Sequence, residues 1–151
     1  MPEEPNIRIE QASSASAEIV EAVGCLVGQL SSSARAPGAE QVEQLLASSA
    51  TTLLLAREHD GRIVGMLTLA MFPIPTGMRA WIEDVVVDRE ARGRGVGSLL
   101  TIEALRLARV AGARTVDLTS RPSREAANRL YVSLGFRPRE TNVYRHDEQA
   151  G

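Results

Sequence analysis

Residues 81–98 read Trp81-Ile82-Glu83-Asp84-Val85-Val86-Val87-Asp88-Arg89-Glu90-Ala91-Arg92-Gly93-Arg94-Gly95-Val96-Gly97-Ser98. The first eight residues, with the β-branched run Val85-Val86-Val87, have the character of a strand. From Val96 the chain turns rich in Leu and Ala, which predicts a helix to about Ala111, and Gly112 suits a left-handed helix end. Across the junction of strand and helix, residues 92–98 hold three glycines and two arginines. Glycine lets the backbone approach a ligand closely, and a helix start offers unpaired N–H groups at its positive end. Chemically this is a pyrophosphate site. A phosphate-binding Walker loop needs a lysine, and the chain contains none; a dinucleotide fingerprint needs a third glycine at the position held by Ser98. What remains is Arg92-x-x-Gly95-x-Gly97 after a strand. The plain alternative is a glycine turn that only starts a helix.

Outward from this stretch, periodicity organises the chain without repeats or long linkers. Residues 7–10 alternate as a short strand. Ser13 or Ser14 is the expected cap of a helix to about Leu30, and a second helix is expected over 39–48. Strands over 51–58 and 62–70 flank Asp60-Gly61, a tight-hairpin pair. Residues 72–77 read as a Pro-interrupted loop, 79–88 as a strand, and 114–119 as another. Ser123 is the expected cap of a helix ending at Gly135, followed by a closing strand pair from Phe136 to about His146 and a frayed tail. The expectation is one mixed α/β domain spanning 1–151, core about 7–146. Its mostly antiparallel central sheet would have about six to seven strands, with helices on both faces.

Composition narrows the function. A 151-residue chain with 44% hydrophobic and 24% charged residues is sized for one domain and is not disordered. No apolar run approaches the roughly 20 residues a bilayer span needs, and the acidic, polar first ten residues do not read as a signal peptide; a cytoplasmic location is expected. All 17 basic residues are arginine, which excludes a catalytic lysine. Residues 1–78 carry four arginines and nine acids, residues 79–151 thirteen and ten, so an anionic ligand is expected in the second half. A net charge of −2 with five aromatics argues against a nucleic-acid partner. His59 and His146 stand apart from any ligand cluster, so no metal site is expected. Cys25 reads as a core residue of the first helix.

Two motifs in register carry a resemblance. Arg92-x-x-Gly95-x-Gly97 after the strand, and Ala127-x-x-Leu130-Tyr131-x-x-Leu134-Gly135-Phe136 further on, together with the element order over about 7–146, resemble the GNAT superfamily of N-acetyltransferases. The resemblance implies acetyl-CoA as cosubstrate, its pyrophosphate on the backbone amides of Arg92, Gly93, Arg94, Gly95, Val96, Gly97 and Ser98. It also implies that Val85, Val86 and Val87 lie on a splayed strand whose free backbone groups pair with the pantetheine arm. An N–H there would hold the oxyanion of the tetrahedral intermediate. Burial of the valines in a central strand is compatible with that role.

Amine acetylation needs a base for the ammonium and an acid for the departing thiolate. Glu83 is the candidate base, directly or through a water. Alternation would turn Glu83 and Asp84 to opposite sides of the sheet, one of them into a partly buried setting that raises its pKa; pairing with an arginine is the plain alternative. Tyr131, which the resemblance makes the acid, has a phenol able to protonate a thiolate, and its alternative is a core aromatic. In the branch that acetylates ribosomal-protein N-termini, a Glu lies twelve residues before this tyrosine; here Thr119 stands there, which weakens that branch and moves the search for a base to Glu83. An Asn often found seven residues before it is replaced by Arg124, and Arg124 and Asn128, on one helix face with Tyr131, are expected to line the cofactor groove. The Ile-Glu-Asp stretch also resembles sugar-phosphate amine acetyltransferases. Trp81 and Phe72 read as core or as walls of an acceptor pocket.

The expected activity is transfer of acetyl from acetyl-CoA to a primary amine, a small-molecule acceptor ahead of a protein amine, in a ternary complex. A non-catalytic acyl-CoA-binding module is the competing class. A homodimer is compatible with the resemblance, and no residue argues for one.

Overall fold

The computed structural model describes residues 6–148; residues 1–5 and 149–151, which include part of the acidic N-terminal stretch and of the tail, lie outside the described residues. The elements are β1 (Arg8–Gln11), α1 (Ala17–Leu30), α2 (Ala39–Ala47), β2 (Thr51–Arg57), β3 (Ile63–Ile74), β4 (Gly77–Val87), a 3-10 turn (Arg89–Ala91), α3 (Val96–Val110) and α4 (Glu125–Ser133). The strands form one antiparallel sheet in the order β1-β2-β3-β4.

Alternation along β2 explains the layers. Leu54 and Ala56 face one side and Leu53 and Leu55 the other, all buried. Against the first face pack Val96, Leu100, Ala104 and Ala108 of α3. Against the second pack Ile19, Val23 and Leu26 of α1 and Val42 of α2. Each fully buried leucine contributes about 2 kcal/mol of transfer free energy. Gly65 lets α3 come close: a Cβ there would lie 3.0 Å from Val96 Cγ1 and 3.1 Å from Leu100 Cδ1. Helices thus cover both faces, as expected.

The sheet has four strands among the described residues, not six to seven. Residues 114–119 touch β4 through a single parallel bridge at Trp81 and Asp117, with Ile82 N–H donating to Asp117 O (2.9 Å) and Asp117 N–H to Ala80 O (3.1 Å). The ladder stops there because β4 bulges next. Its register with β3 slips between Met66 and Thr68, and Asp84 takes a left-handed φ of 49°. The closing strand pair does not form either. Pro138 has no N–H to give a ladder, residues 137–148 are exposed, and the neighbouring 114–119 segment offers no strand to pair with.

Residues 72–77 are not a loop. Phe72 pairs with Arg79, Pro73 with Met78 and Ile74 with Gly77. Pro73 is tolerated because the β2 ladder ends at Ala70, leaving that side of β3 free. The cap of α1 is Ser16, whose hydroxyl accepts from Ile19 N–H (3.3 Å), rather than Ser13 or Ser14. Helix α4 is preceded by Arg124, with no side-chain cap from Ser123. Cys25 is exposed, because it falls off the Ile19–Val23–Leu26 stripe of α1. The Asp60-Gly61 hairpin forms as expected, Gly61 at φ 89° and Asp60 Oδ1 accepting from Arg62 N–H (2.9 Å).

Candidate active site

The glycine turn begins from a clasp. Asp88 ends β4 and caps the 3-10 turn: Oδ1 accepts from Glu90 N–H (2.9 Å), and Oδ2 from Gln29 Nε2 (3.4 Å). Gln29 Oε1 in turn accepts from Arg89 N–H (3.0 Å), so the end of α1 holds the turn from behind. The Glu90 N–H above all, then Gln29 and the charges of Arg62 and Arg89, hold the Asp88 carboxyl below its ordinary value against a raising effect of burial.

From there Gly93 (φ 80°) and Gly95 (φ 79°) take left-handed conformations that other residues adopt only with strain. Leu99 N–H is the first in α3 to find a carbonyl, that of Gly95 (3.1 Å). None of the seven backbone N–H groups from Arg92 to Ser98 donates a hydrogen bond among the described residues. Arg92, Gly93, Arg94 and Gly95 are exposed. Val96 is buried in the core, so it presents backbone only. This donor set fits a pyrophosphate: it is backbone, glycine-flanked and at a helix start.

The two arginines differ. Arg92 Nε donates to Val87 O (3.3 Å), and its side chain is exposed. Arg94 turns away from the turn, Nη1 donating to Glu58 Oε1 (3.0 Å) and Nη2 to Glu90 O (2.9 Å). Its guanidinium braces the turn.

The end of β4, the start of α3 and α4 meet here. A Cβ on Gly97 would lie 3.1 Å from Leu130 Cδ2 and 3.7 Å from Val87 Cγ2. Val85 and Val87 are half-buried against the α3 side of the core and Val86 is buried against the α1 side. Past the Trp81–Asp117 bridge, no strand lies along the edge of β4 that faces away from β3 among the described residues. The outer edge of β4 at Val85 and Val87 is thus without a strand partner among the described residues, and Val87 O there accepts from Arg92 Nε (3.3 Å).

Glu83 and Asp84 are both exposed, so neither enters the buried setting expected from alternation. The bulge is the reason: it lifts Asp84 out of the pleat and breaks the two-residue period at that point. Glu83 pairs in register with Thr68 and lies on the α1 side of the sheet, beyond the helices.

Tyr131 is 5% exposed and packs edge-on to Phe136, ring centres 5.7 Å apart at 65°. Its hydroxyl makes no hydrogen bond among the described residues. Burial pushes the phenol pKa up, and the Arg124 charge opposes the rise in part. Arg124 is exposed and makes no side-chain hydrogen bond among the described residues. Asn128 Nδ2 donates to Arg121 O (3.0 Å), closing the turn before α4.

Sequence reasoning missed several residues. Gln29 and Glu58 act across 60 and 36 positions, and no local signal marks them. The Ser120 hydroxyl is buried without a partner among the described residues, just past Asp117. Among the described residues no group of three or more His, Cys, Asp or Glu could hold a metal ion, and no helix is long and apolar enough to cross a membrane.

The chain is 38% identical over 95 residues to a glucosamine 6-phosphate N-acetyltransferase of Trypanosoma brucei brucei, covering 61% of this chain and 63% of that one. It is 39% identical over 83 residues to the mycothiol acetyltransferase of Thermomonospora curvata, covering 55% and 27%. The chain thus spans less than two thirds of the length of these curated relatives. A putative acetyltransferase structure from Agrobacterium tumefaciens superposes with a TM-score of 0.81 at 25% identity, over 93% of this chain and 99% of that one. The family profile described as "Acetyltransferase (GNAT) family" matches residues 21–136. With that match over most of its length, and with both motifs in place on the fold, the chain belongs to the GNAT acetyltransferase family.

Proposed function

We propose that this protein transfers an acetyl group from acetyl-CoA to a primary amine of a small molecule, both bound together, in the cytoplasm. The observation that carries this is the run of seven unengaged backbone N–H groups from Arg92 to Ser98, beside the open edge of β4. Acetyl-CoA supplies the acetyl group as a thioester, with a thiolate as leaving group. The turn residues bind and orient it by backbone donors. Backbone N–H groups beside Val85, Val86 and Val87 provide a donor where negative charge develops on the carbonyl oxygen. Glu83, exposed on the acceptor side, takes the ammonium proton directly or through a water. Tyr131, kept protonated by its burial, holds the proton that the thiolate needs. Holding amine and thioester together supplies a large share of the rate.

Relatives named for a sugar-phosphate amine and for mycothiol are compatible with a small-molecule acceptor, and one named as an N-alpha-acetyltransferase with a protein terminus; Thr119 in place of the glutamate of the protein-acetylating branch supports the small molecule. Calorimetry with acetyl-CoA tests the reading, comparing wild type with Gly95→Trp. A Cβ at Gly95 meets nothing within 4 Å, so the variant has room to fold, at a strain cost from φ 79° of about 1–2 kcal/mol. The indole would cover the N–H groups. Wild-type binding that the variant loses, followed by acetylation in an amine panel, is the expected result. No binding by the wild type overturns it, and binding without turnover of any amine supports a non-catalytic acyl-CoA-binding module.

A further inference from the structure

The helices of the α1 side cover only part of the sheet. Ile63, Met66 and Val86 lie under them in the core, while the end of the β3–β4 hairpin projects beyond. On that uncovered face Thr68 pairs with Glu83, Ala70 with Trp81 and Phe72 with Arg79. Asp117 joins the same row through its bridge to Trp81. Phe72 is 38% exposed and Glu83 is exposed, so the face is open to solvent.

Arg79 is the only cation among these residues. Its guanidinium lies over the Trp81 ring, 5.3 Å from the centroid, which sets its position. Its nearest acid, Asp117, stands at 3.9 Å, beyond hydrogen-bond reach, and Arg79 makes no side-chain hydrogen bond among the described residues. Side chains two apart on a strand are about 7 Å apart. Leaning from position 79 back over Trp81 brings the guanidinium about one such step from Glu83.

Resting on the reading that Glu83 receives the acceptor amine, we propose that the acceptor is an amine that also carries an anionic group, about 5–8 Å from its nitrogen, and that Arg79, seated on Trp81, binds that group. The ammonium end meets Glu83, the anionic end meets Arg79, and the small Ala70 opposite Trp81 leaves room between them. A carboxylate or a phosphate would satisfy the fork of donors equally, since both present two oxygens in a plane. Arg79 is a specificity-determining residue in this reading.

The test uses matched pairs: 5-aminopentanoate against pentylamine for the carboxylate, and 3-aminopropyl phosphate against 3-aminopropanol for the phosphate. Each is titrated by NMR into the free protein and into protein saturated with acetyl-CoA, for wild type, Arg79→Gln and Arg79→Lys, with thermal unfolding as the check on folding. The expected result is at least tenfold tighter binding of one member that carries the anionic group than of its partner that lacks it. That ratio falls to about one in Arg79→Gln and survives in part in Arg79→Lys. A merely structural Arg79 would weaken both members alike and leave the ratio unchanged, which overturns the proposal. Equal binding within both pairs by the wild type, including equally undetectable binding, overturns it too. Loss of the transferase reading shows separately, as failure to bind acetyl-CoA, and the ratio measured on free protein still decides the role of Arg79.

Discussion

Arg94 Nη1 donates to Glu58 Oε1 across 3.0 Å, tying the glycine turn before α3 to the residue that follows β2. The same carboxylate oxygen lies 3.7 Å from Arg62 Nη2, and Arg62 Nη1 reaches Glu90 Oε2 at 3.2 Å. The Glu58 side chain is mostly covered, the arginines about half exposed. This network fixes the turn before any ligand arrives. Glu58→Gln frees Arg94 and lets the turn wander, so acetyl-CoA binding weakens about three- to tenfold, in line with ~1 kcal/mol for a partly exposed pair, while kcat changes little. Calorimetry and steady-state kinetics at low salt and at 0.5 M salt check it: the deficit shrinks as salt screens the wild-type pair.

Asp88 adds a pH dependence to the same turn. Its carboxyl titrates below its ordinary value in the fold. Its stabilising effect is therefore present above the unfolded value of about 3.9 and is lost as pH falls through the lower folded value. Asp88→Asn keeps a capping oxygen but removes its charge, and costs about 1 kcal/mol at pH 7, the difference between a charged and a neutral acceptor. Urea unfolding of both proteins at pH 7 and pH 3 checks the sign, because the gap between them narrows at the lower pH.

The places where the sequence was legible share a cause. The glycine turn, the Asp60-Gly61 hairpin and α3 are specified by residues adjacent in the chain, through left-handed φ values and helical period. The order of helices and strands likewise pointed to a sheet covered on both faces, which the burial of Leu53, Leu54, Leu55 and Ala56 bears out. The edge of the sheet was not legible. Residues 114–119 have strand composition, yet whether they pair depends on β4, and the bulge at Asp84 ends the ladder after one bridge. The bulge itself hides in the run Glu83-Asp84-Val85, where an alternating pattern reads as continuous and assigns the two carboxylates to opposite faces. In the candidate site, motifs located the glycine turn and put Tyr131 on α4. The bracing role of Arg94, the commitment of Asn128 to Arg121 O and the platform of Arg79 on Trp81 depend on partners distant in sequence or on side-chain direction, which composition does not record.

Tyr131→Phe separates chemistry from packing. The hydroxyl has no hydrogen bond to lose among the described residues, and the ring contact with Phe136 is kept. Stability at pH 7 should change by less than about 0.5 kcal/mol, while kcat falls about 100-fold through loss of the proton donor. The raised phenol pKa has a second consequence. The unfolded chain deprotonates first, near pH 10, so the wild type loses stability relative to the Phe variant as pH rises beyond that point and through the higher folded value. Chemical denaturation at pH 8 and pH 11 reads the difference.

Glu83 and Asp84 stand side by side and both exposed, but the bulge gives them different parts. Asp84 carries the left-handed φ of 49°, a conformation that costs a residue with a Cβ about 1 kcal/mol. Asp84→Gly removes that strain and should leave stability equal or up to about 1 kcal/mol higher, with acetyl transfer retained. Glu83 lies on the regular pleat opposite Thr68, on the face where the proposed acceptor amine binds. Glu83→Gln should keep the fold and lower kcat/KM about 100-fold at pH 7. A rate that climbs with pH in this variant identifies loss of a base, because an amine already deprotonated in solution no longer needs one. The opposite pattern, an active Glu83→Gln and an inactive Asp84→Gly, would move the base to the bulged residue and give its backbone strain a catalytic purpose.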